Sequence, residues 1–224
     1  MIKRIFDIVM SAIGLIISSP LFIVIAIAIK LESKGPVFYR GVRVGRYGKT
    51  FKIFKFRSMV QNAEKIGAAS TTEKDSRITK CGMLIRKYKL DELSQLINVF
   101  IGDMSIVGPR PEVQKFVDMY TEEEKAILTL RPGITDWSSI KFHNEGEIIA
   151  ASGIEDADEA YAKLIRPEKL RLQQKYLKER NLWVDIKIIF STIATIFSTR
   201  LVGEQHTSSN SMLGTNKNSI TISK

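Results

Sequence analysis

The run Ile8–Ile29, IVMSAIGLIISSPLFIVIAIAI, contains no charged residue and decides how the chain is organised. As a helix, such a run would be about 33 Å long, close to the thickness of the hydrocarbon core of a bilayer. It passes directly into Lys30-Leu31-Glu32, without the small-residue cleavage site that follows a secretory signal. We therefore expect this segment to be retained in a membrane.

Pro20, near the middle of this run, leaves two topologies open, because proline removes one helical hydrogen bond and kinks the chain. One is a kinked helix that spans the membrane, which hydropathy alone favours. The other is a re-entrant hairpin of two arms, each about 12 residues long, that enter and leave by one face. The positive-inside rule favours the hairpin, since basic residues flank the run on both sides. They are Lys3, Arg4, Lys30, Lys34, Arg40, Arg43 and Arg46.

The composition of the 224 residues, 44% hydrophobic and 26% charged, excludes a disordered or fibrous chain and allows one sizeable domain or two small ones. Lys and Arg number 34 against 24 Asp and Glu, which gives a net charge of +10. Such a surplus indicates a polyanionic partner, whether nucleic acid, phosphorylated metabolites or an anionic membrane face. The single cysteine, Cys81, excludes an intramolecular disulfide framework and a cysteine-only zinc site.

The segment between Ser33 and Val60 carries eight Lys or Arg residues and no acidic residue. Its alternating pattern predicts strands at 37–39 and 51–56, joined by a turn at Gly45–Gly48. Basic side chains here would meet phosphates at the membrane surface, or would form an anchor to anionic lipids that has no chemistry of its own. No RNA-binding or helix-turn-helix pattern follows, so we expect no nucleic-acid partner.

Asp91 and Glu92 are adjacent carboxylates inside the stretch Gly82–Phe100, whose apolar spacing predicts mostly helix. Asp91 is expected to cap a helix that begins at Leu93. An isolated pair of this kind is usually a solvated cap. In so basic a chain it also fits phosphoryl chemistry, in which one carboxylate attacks phosphorus and its neighbour holds a divalent cation.

Two turns punctuated by proline and glycine, Gly108–Glu112 (GPRPE) and Arg131–Thr135 (RPGIT), follow the dyad. The prolines on either side of Arg110 would fix the approach of its guanidinium to a phosphate, although a structural turn explains the pattern equally well. The sequence at 121–124 (TEEE) predicts a capping box that opens a helix. His143, Glu145 and Glu147 form too weak a pattern to predict a metal site.

The apolar residues between 182 and 197 recur at helical spacing and predict an amphipathic helix. It would pack on a soluble core, or lie in the membrane plane with Trp183 at the level of the headgroups. Polar and small residues dominate from Gly203 onward, so the end of the chain is predicted to be disordered.

Six segments together resemble the bacterial sugar transferase family, the monotopic polyprenyl-phosphate hexose-1-phosphate transferases, also called small phosphoglycosyl transferases. The resemblance covers about Lys3 to Phe197. The segments are KRIFDIV (3–9), the Ser19-Pro20 pair, FKIFKFRSM (51–59), RKYKLDELSQLINVFIGDMSIVGPRPE (86–112), RPGIT (131–135) and LWVDIKIIF (182–190).

The resemblance implies an α+β, predominantly helical, monotopic membrane protein with a small β-hairpin and amphipathic interfacial helices. Residues 1–32 would form a re-entrant helix broken at Ser19-Pro20, so the family's pattern overrides the preference for a spanning helix. Residues 33–200 would form a cytosolic catalytic domain whose helix 182–198 lies on the membrane surface, and residues 201–224 a disordered polar tail. The protein would act on the cytoplasmic face of the bacterial inner membrane.

The resemblance also implies an activity, the first membrane step of surface glycan assembly. A UDP-sugar would give its sugar-1-phosphate to undecaprenyl phosphate and release UMP, with Mg²⁺ as cofactor. Asp91 would be the nucleophile that forms a covalent phosphosugar intermediate, and Glu92 would help to bind Mg²⁺. Contacts to phosphate or nucleotide are implied for Lys55, Arg57, Arg86, Arg110 and Arg131.

Two departures from the family pattern put the donor sugar in doubt. Residues 136–139 read Asp-Trp-Ser-Ser where many members have Gly-Trp-Ala-Gln, and Gln173 stands where many have an aspartate three residues before Tyr176. Glu145 or Glu147 would be the replacement for a missing carboxylate. A membrane scaffold without catalysis and a phosphohydrolase using the same dyad are the competing hypotheses. The sugar, the glycan pathway and the oligomeric state stay open.

Overall fold

The computed structural model describes residues 1–63, 66, 75–196 and 198, and in these the protein is mostly helical with a few short strands, as the sequence predicts. The predicted tail at 201–224 lies outside the described residues, and so does Phe197 of the predicted helix 182–198. The helices are α1 Ile2–Glu32, α2 Lys80–Lys87, α3 Gln95–Ile101, α4 Gln114–Val117, α5 Glu122–Lys125, α6 Trp137–Lys141, α7 Glu145–Ala151, α8 Ala157–Leu164, α9 Arg166–Glu179 and α10 182–196. The strands are β1 Phe38–Tyr39, β2 Val42–Val44, β3 Thr50–Lys52, β4 Lys55–Phe56, β5 Ser105–Val107 and β6 Gly133–Thr135.

Helix α1 is continuous through Pro20, so the predicted interruption at Ser19-Pro20 is not present. Proline has no N–H to give to the carbonyl of Ile16, four residues earlier. The hydroxyl of Ser19 donates to that carbonyl instead, at 2.8 Å, and the hydroxyl of Ser18 donates to the carbonyl of Gly14 at 2.5 Å. The Ser19 hydroxyl therefore satisfies the carbonyl that the proline would otherwise leave unpaired, and the helix continues.

Of the described helices, α1 is the one long and apolar enough to cross a membrane by length and composition. Its most apolar window has a mean hydropathy of 2.7, yet only 11% of that window is buried. The core helix of a soluble protein would be mostly buried. The apolar surface of α1 is instead largely exposed, which supports association with a membrane.

Both ends of α1 bind the part of the chain that follows it. At the N-terminal end, the Lys3 ammonium lies 2.5 Å from a carboxylate oxygen of Asp185, and Asp7 accepts a hydrogen bond from the Ile106 N–H at 3.1 Å. At the C-terminal end, the Glu32 carboxylate accepts from the Cys81 N–H at 2.9 Å. Between these ends, α1 packs along α3 and α2.

The C-terminal half of α1 contributes to an apolar cluster, called here the membrane-side cluster. Its buried members are Ile25, Ile29, Phe56 and Ile85, and Leu90 packs against them. Phe56 follows Lys55 on β4, and Leu90 precedes Asp91. The cluster therefore connects α1 directly to the residues that carry the predicted chemistry.

The predicted basic hairpin is confirmed, with a four-strand pattern. β1 pairs antiparallel with β4, and β2 with β3, where Val42, Arg43 and Val44 face Lys52, Phe51 and Thr50. The turn between β2 and β3 is a short 3-10 segment, Arg46–Gly48.

Strands β5 and β6 form a parallel pair that brings the GPRPE and RPGIT turns together. A Cβ on Gly133 would lie 2.1 Å from the backbone nitrogen of Gly108, so the two turns approach more closely than any side chain would allow. The Gly133 N–H donates to the Pro109 carbonyl at 2.9 Å. The two glycines thus let one turn support the other.

Helix α10 packs one face against the protein and exposes the other. Asp185 and Ile188 are buried against the rest of the protein, with Ile188 packed on Val107 and Tyr176. Trp183 and Phe190 are 81% and 69% exposed. A large exposed aromatic pair on one side of a docked helix is the arrangement expected at a membrane surface.

Candidate active site

The dyad Asp91-Glu92 lies on a short 3-10 turn, Leu90–Glu92, between α2 and α3. Thr79 begins α2 by accepting from the Gly82 N–H, and α2 ends at Lys87. Lys89 then takes a left-handed conformation, with φ 54° and ψ 23°, which reverses the chain into the 3-10 turn. A lysine in this region is strained relative to glycine, by roughly 1 kcal/mol.

Asp91 does not cap α3, so that prediction was wrong. The first residue of α3 follows Ser94, and no side chain caps it. The Asp91 carboxylate is buried and points to Lys55, whose ammonium lies 3.0 Å from Oδ2. Its other oxygen, Oδ1, accepts no hydrogen bond. A buried carboxylate with one cationic neighbour and one unpartnered oxygen costs free energy and is uncommon away from functional sites.

Glu92 is bound by two cations. The Arg110 guanidinium makes a two-pronged contact with it, Nη1 donating to Oε2 at 3.0 Å and Nη2 to Oε1, and the Lys55 ammonium lies 3.4 Å from Oε1. Burial raises the pKa of Glu92, but the charges of Arg110 and Lys55 outweigh it and hold that pKa far below its ordinary range. Glu92 is therefore ionised at neutral pH, and the pairing raises the pKa of Arg110.

The site is thus assembled from three distant pieces of sequence. Lys55 comes from β4, the carboxylates from the turn before α3, and Arg110 from the GPRPE turn after β5. Pro109 and Pro111 fix the backbone on both sides of Arg110. The result is a compact group of two carboxylates and two cations, at the edge of the membrane-side cluster.

In the described part of the chain, the other three predicted phosphate contacts form no ion pair with the dyad. Arg57 donates to the carbonyls of Ser33 and Lys34, at 2.8 and 2.9 Å, and so ties β4 to the end of α1. Arg131 donates to the Gly102 carbonyl at 3.0 Å, at the far end of α3. Arg86 lies in the last turn of α2; the pKa of Asp75 is lowered chiefly by its hydrogen bond from Arg77, and the charge of Arg86 adds to this.

Asp136 and Gln173, the two departures from the family pattern, contact each other. Asp136 is fully buried and caps α6 by accepting from the Ser139 N–H at 2.7 Å. Its Oδ2 accepts from the Gln173 amide at 3.1 Å. The charge of Asp136 also contributes to the raised pKa of Arg110. The two unusual residues therefore form one unit, near enough to the dyad to act on its arginine.

Tyr176 does not bond the Asp136–Gln173 pair; it bonds Asp185 of α10. Its hydroxyl donates to Asp185 Oδ1 at 2.6 Å, and burial, followed by this bond, raises its pKa. The same Asp185 binds Lys3, so Tyr176 helps to dock α1 and α10.

The two candidate replacement carboxylates differ in placement. Glu145, at the start of α7, is half-buried, and its charge raises the pKa of Arg110 and of Lys169. Glu147 is exposed and accepts from the Asn144 amide at 3.0 Å. Only Glu145 faces the charged interior. His143 bonds the Ile140 carbonyl, and no group of three or more potential metal ligands occurs in the described residues.

One group was missed from the sequence. Glu112, the last residue of GPRPE, forms a buried ion pair with Lys169 of α9, and Tyr161 of α8 donates to it. Glu112 stands inside the quoted motif, which was a usable signal. Lys169 gave none, because it is one of several charged residues on α9 and nothing in the sequence distinguishes the buried one.

Several known proteins are similar to the chain over most of its length. The chain is 40% identical over 200 residues to "UDP-N-acetylgalactosamine-undecaprenyl-phosphate N-acetylgalactosaminephosphotransferase" of Aeromonas hydrophila, covering 88% of this chain and 44% of that protein. It is 36% identical over 197 residues to "UDP-glucose:undecaprenyl-phosphate glucose-1-phosphate transferase" of Escherichia coli K12, covering 86% and 39%. It is 31% identical over 215 residues to "Exopolysaccharide production protein ExoY" of Rhizobium meliloti, covering 89% and 87%.

The chain spans less than half the length of the first two of these relatives. The third is matched over most of its length, so the shared region also occurs as a protein of about this size. The model of one family, described as "Bacterial sugar transferase", matches residues 1–199, which include α1, the dyad and α10. The chain therefore belongs to the bacterial sugar transferase family.

Proposed function

We propose that this protein transfers a sugar-1-phosphate from a UDP-sugar to undecaprenyl phosphate and releases UMP, through a covalent intermediate on Asp91. Membership of the family and the activities for which the two longer relatives are named support the reaction class. The observation that carries the proposal is the state of Asp91, a buried carboxylate held on one oxygen by Lys55 and unpartnered on the other.

The first half-reaction uses that unpartnered oxygen. Asp91 Oδ1 attacks the phosphorus that bears the sugar, an aspartyl-phosphate bond forms, and the bond from this phosphorus to the oxygen of UMP breaks. UMP leaves with the electron pair. In the second half-reaction a phosphate oxygen of the lipid attacks the same phosphorus, the aspartyl bond breaks, and the carboxylate is regenerated. Splitting the transfer lets a soluble donor and a lipid acceptor use one site in turn.

The two cations supply what this displacement needs. Charge builds on the bridging and terminal phosphate oxygens as the bond to UMP breaks, and fixed positive groups stabilise it. The Lys55 ammonium is 3.0 Å from the nucleophile, and the Arg110 guanidinium is held by Glu92 on the same side. A guanidinium matches phosphate oxygens as well as it matches a carboxylate, so Arg110 can exchange one for the other.

The donor set fits Mg²⁺ as a cofactor shared with substrate. Mg²⁺ is usually bound by one or two carboxylates together with substrate phosphates rather than by an all-protein cage. Asp91 Oδ1 is the attacking oxygen, so the carboxylate available to Mg²⁺ is that of Glu92, once the donor phosphates take its place on Arg110. When bound, Mg²⁺ would offset charge on the pyrophosphate. Glu92 is the residue that would hold it.

We also propose that the protein is monotopic, with both ends of α1, which is continuous through Pro20, on one side of the membrane. A helix that crosses a bilayer puts its ends about 30 Å apart on opposite sides. Here the residues that bind Lys3 and Asp7 and the residue that binds Glu32 belong to one packed body, which one side of a membrane can accommodate. The basic flanks of α1 favour the cytoplasmic face of the inner membrane, with residues 33–200 in the cytosol.

Three pairs of exposed apolar residues support contact with lipid around the dyad. They belong to the helix before it, the helix after it, and α10. They are Met83 and Leu84, Phe100 and Ile101, and Trp183 and Phe190. Anionic lipids would meet the basic hairpin at the same surface.

The test of the reaction is release of UMP from a UDP-sugar by the purified protein with Mg²⁺, with and without undecaprenyl phosphate. Turnover is expected only with the lipid. A scaffold would release no UMP, and a phosphohydrolase would not need the lipid. A panel of UDP-sugars identifies the donor, which the Asp136–Gln173 pair leaves open.

The test of the nucleophile is the aspartyl adduct. With donor alone, mass spectrometry of digested protein should find a phosphosugar on Asp91. Asp91→Asn should abolish both adduct and turnover, whereas Asp118→Asn, at an exposed carboxylate, should keep both. Lipid-dependent turnover without any adduct would refute the covalent intermediate and leave the reaction class standing.

The test of topology is cysteine labelling. In a Cys81→Ser background, Ile2→Cys should be unreactive to an impermeant thiol reagent applied from the periplasm and reactive in opened cells. Reaction from the periplasmic side would restore the spanning helix.

A further inference from the structure

We propose that the buried triad Glu112, Lys169 and Tyr161 positions Arg110 for the donor pyrophosphate, an inference that rests on the proposed function. The triad lies beside the dyad but touches neither carboxylate. It is built from three separate elements: the end of the GPRPE turn, α9 and α8.

The triad is closed on itself. The Lys169 ammonium lies 2.6 Å from Glu112 Oε1 and donates to the Tyr161 hydroxyl at 2.9 Å. That hydroxyl donates to the same Glu112 oxygen at 2.5 Å. All three side chains are largely or fully buried, and Tyr161 packs against Phe116 in an apolar cluster. Each polar group in the triad therefore has a partner within it.

Stability alone is a weak reason for such a group. Removing two opposite charges from water costs several kcal/mol per ion, and a well-packed apolar pair is often as stable as the ion pair it replaces. Lys169 is only 5% exposed, which is rare for lysine. A fixed geometry is the best-attested use of a buried ion pair, and the nearest geometry to fix is that of Arg110.

The backbone around Arg110 is held on both sides. The Pro109 carbonyl accepts from the Gly133 N–H at 2.9 Å, and the Glu112 carbonyl accepts from the Val44 N–H at 2.9 Å. The triad adds a third attachment, through the Glu112 side chain to α8 and α9. With Pro111 between them, Arg110 and Glu112 cannot move independently.

Acidic and basic side chains alternate from Asp91 to the triad. Asp91, Lys55, Glu92 and Arg110 are followed by Glu112 and Lys169, and the Arg110 charge contributes to the lowered pKa of Glu112. When the donor phosphates replace Glu92 on Arg110, the guanidinium keeps a fixed negative neighbour on its inner side. The triad would therefore hold Arg110 in place during that exchange.

The first experiment compares Glu112→Gln, Lys169→Met and the double variant. Each single change leaves a buried group without its partner and should lower the melting temperature, whereas the double change removes both charges and should recover much of it. We expect the donor KM of the double variant to stay at least tenfold above that of the parent at the recovered melting temperature. The matched control is Glu159→Gln with Lys163→Met, an exposed pair at 2.6 Å, which should change neither quantity.

The second experiment measures the chemical reactivity of the Arg110 side chain and does not depend on turnover. Phenylglyoxal modification of each arginine is followed by peptide mass spectrometry, with buried Arg57 as an internal reference. Arg110 should react at least threefold faster in the double variant than in the parent, with Arg57 unchanged. If the double variant does not fold, Glu112→Asp, which keeps the charge but shortens the reach, takes its place in both experiments with the same expectation.

An unchanged rate at Arg110, or a donor KM that recovers together with the melting temperature, would overturn the positioning role. A parent protein that releases no UMP would instead refute the proposed function, and the labelling rates would still decide the role of the triad.

Discussion

The contact between Asp7 and β5 gives the sharpest prediction for stability. Asp7 is buried, and its Oδ1 accepts from the Ile106 N–H and from the Ser105 hydroxyl, both at 3.1 Å. Asp7→Ala leaves the Ile106 N–H unpaired. The Ser105 hydroxyl still reaches the Val107 carbonyl at 3.0 Å, so it keeps a partner. The hydrogen bond from the Ile106 N–H to the carboxylate is therefore lost, and the Ser105 hydroxyl exchanges the carboxylate for the Val107 carbonyl.

The expected cost of Asp7→Ala is about 3 kcal/mol, since hydrogen bonds to charged groups contribute about 1.5–3 kcal/mol and an orphaned buried donor adds to the loss. Asp7→Asn keeps an oxygen acceptor and should cost about 1 kcal/mol. Ser105→Ala leaves the Ile106 bond in place and should also cost about 1 kcal/mol.

The assay is equilibrium urea unfolding in detergent micelles, followed by the fluorescence of the two tryptophans, Trp137 and Trp183. Trp137 packs near β5, so its signal reports the region where the bond is lost. A free energy of unfolding for Asp7→Ala within about 0.5 kcal/mol of the parent would refute the reasoning. So would a larger loss for Ser105→Ala than for Asp7→Ala.

Three further predictions concern the left-handed residue before the dyad, the close approach of Gly82 to the Ser58 backbone, and the loss of stability at low pH. In urea unfolding, Lys89→Gly should leave the free energy of unfolding unchanged or raise it by up to about 1 kcal/mol. Lys89→Val should lower it by more than about 1 kcal/mol, because a β-branched side chain is disfavoured at positive φ. Gly82→Ala would place a Cβ 1.9 Å from the Ser58 carbonyl oxygen and should cost more than 2 kcal/mol; Gly48→Ala, with positive φ but open space, should cost only about 1 kcal/mol, and equal costs would contradict the steric argument. The pKa of Glu112 is lowered in the folded protein, so ionised Glu112 stabilises the fold above pH 4.5, its ordinary pKa, and this stabilisation is lost as the pH falls below that value. Melting curves between pH 7 and 3 should therefore show a fall in melting temperature that is smaller in the Glu112→Gln, Lys169→Met variant.

Local sequence signals predicted the local structure. The uncharged run predicted α1, the Gly45–Gly48 turn predicted the hairpin, and the capping box at Thr121 is present. Each of these depends on residues a few positions apart, whose spacing is visible in the sequence. The adjacency of Asp91 and Glu92 is local in the same sense.

Contacts between distant residues were not predictable in this way. An arginine that donates to backbone carbonyls and one that pairs with a carboxylate look alike in a sequence, so Arg57 and Arg131 could not be separated from Arg110. The Asp136–Gln173 bond joins residues 37 positions apart, and each looked like an independent departure. Asp91 failed as a cap because Lys55, a tertiary neighbour, competes for its carboxylate.

Helix α1 has a consequence for how the catalytic turn is kept at a constant height over the lipids. Leu90 and Phe56, each next to a residue of the charged group, pack on Ile25 and Ile29, while Asp7 fixes the opposite end of the same helix. A tilt or a vertical shift of α1 would therefore carry the dyad with it. In the proposed reaction, the depth of Asp91 would be set by the covalent chain and packed side chains rather than by the thickness of the surrounding bilayer. A lipid phosphate would then reach Asp91 by lateral diffusion in its own leaflet.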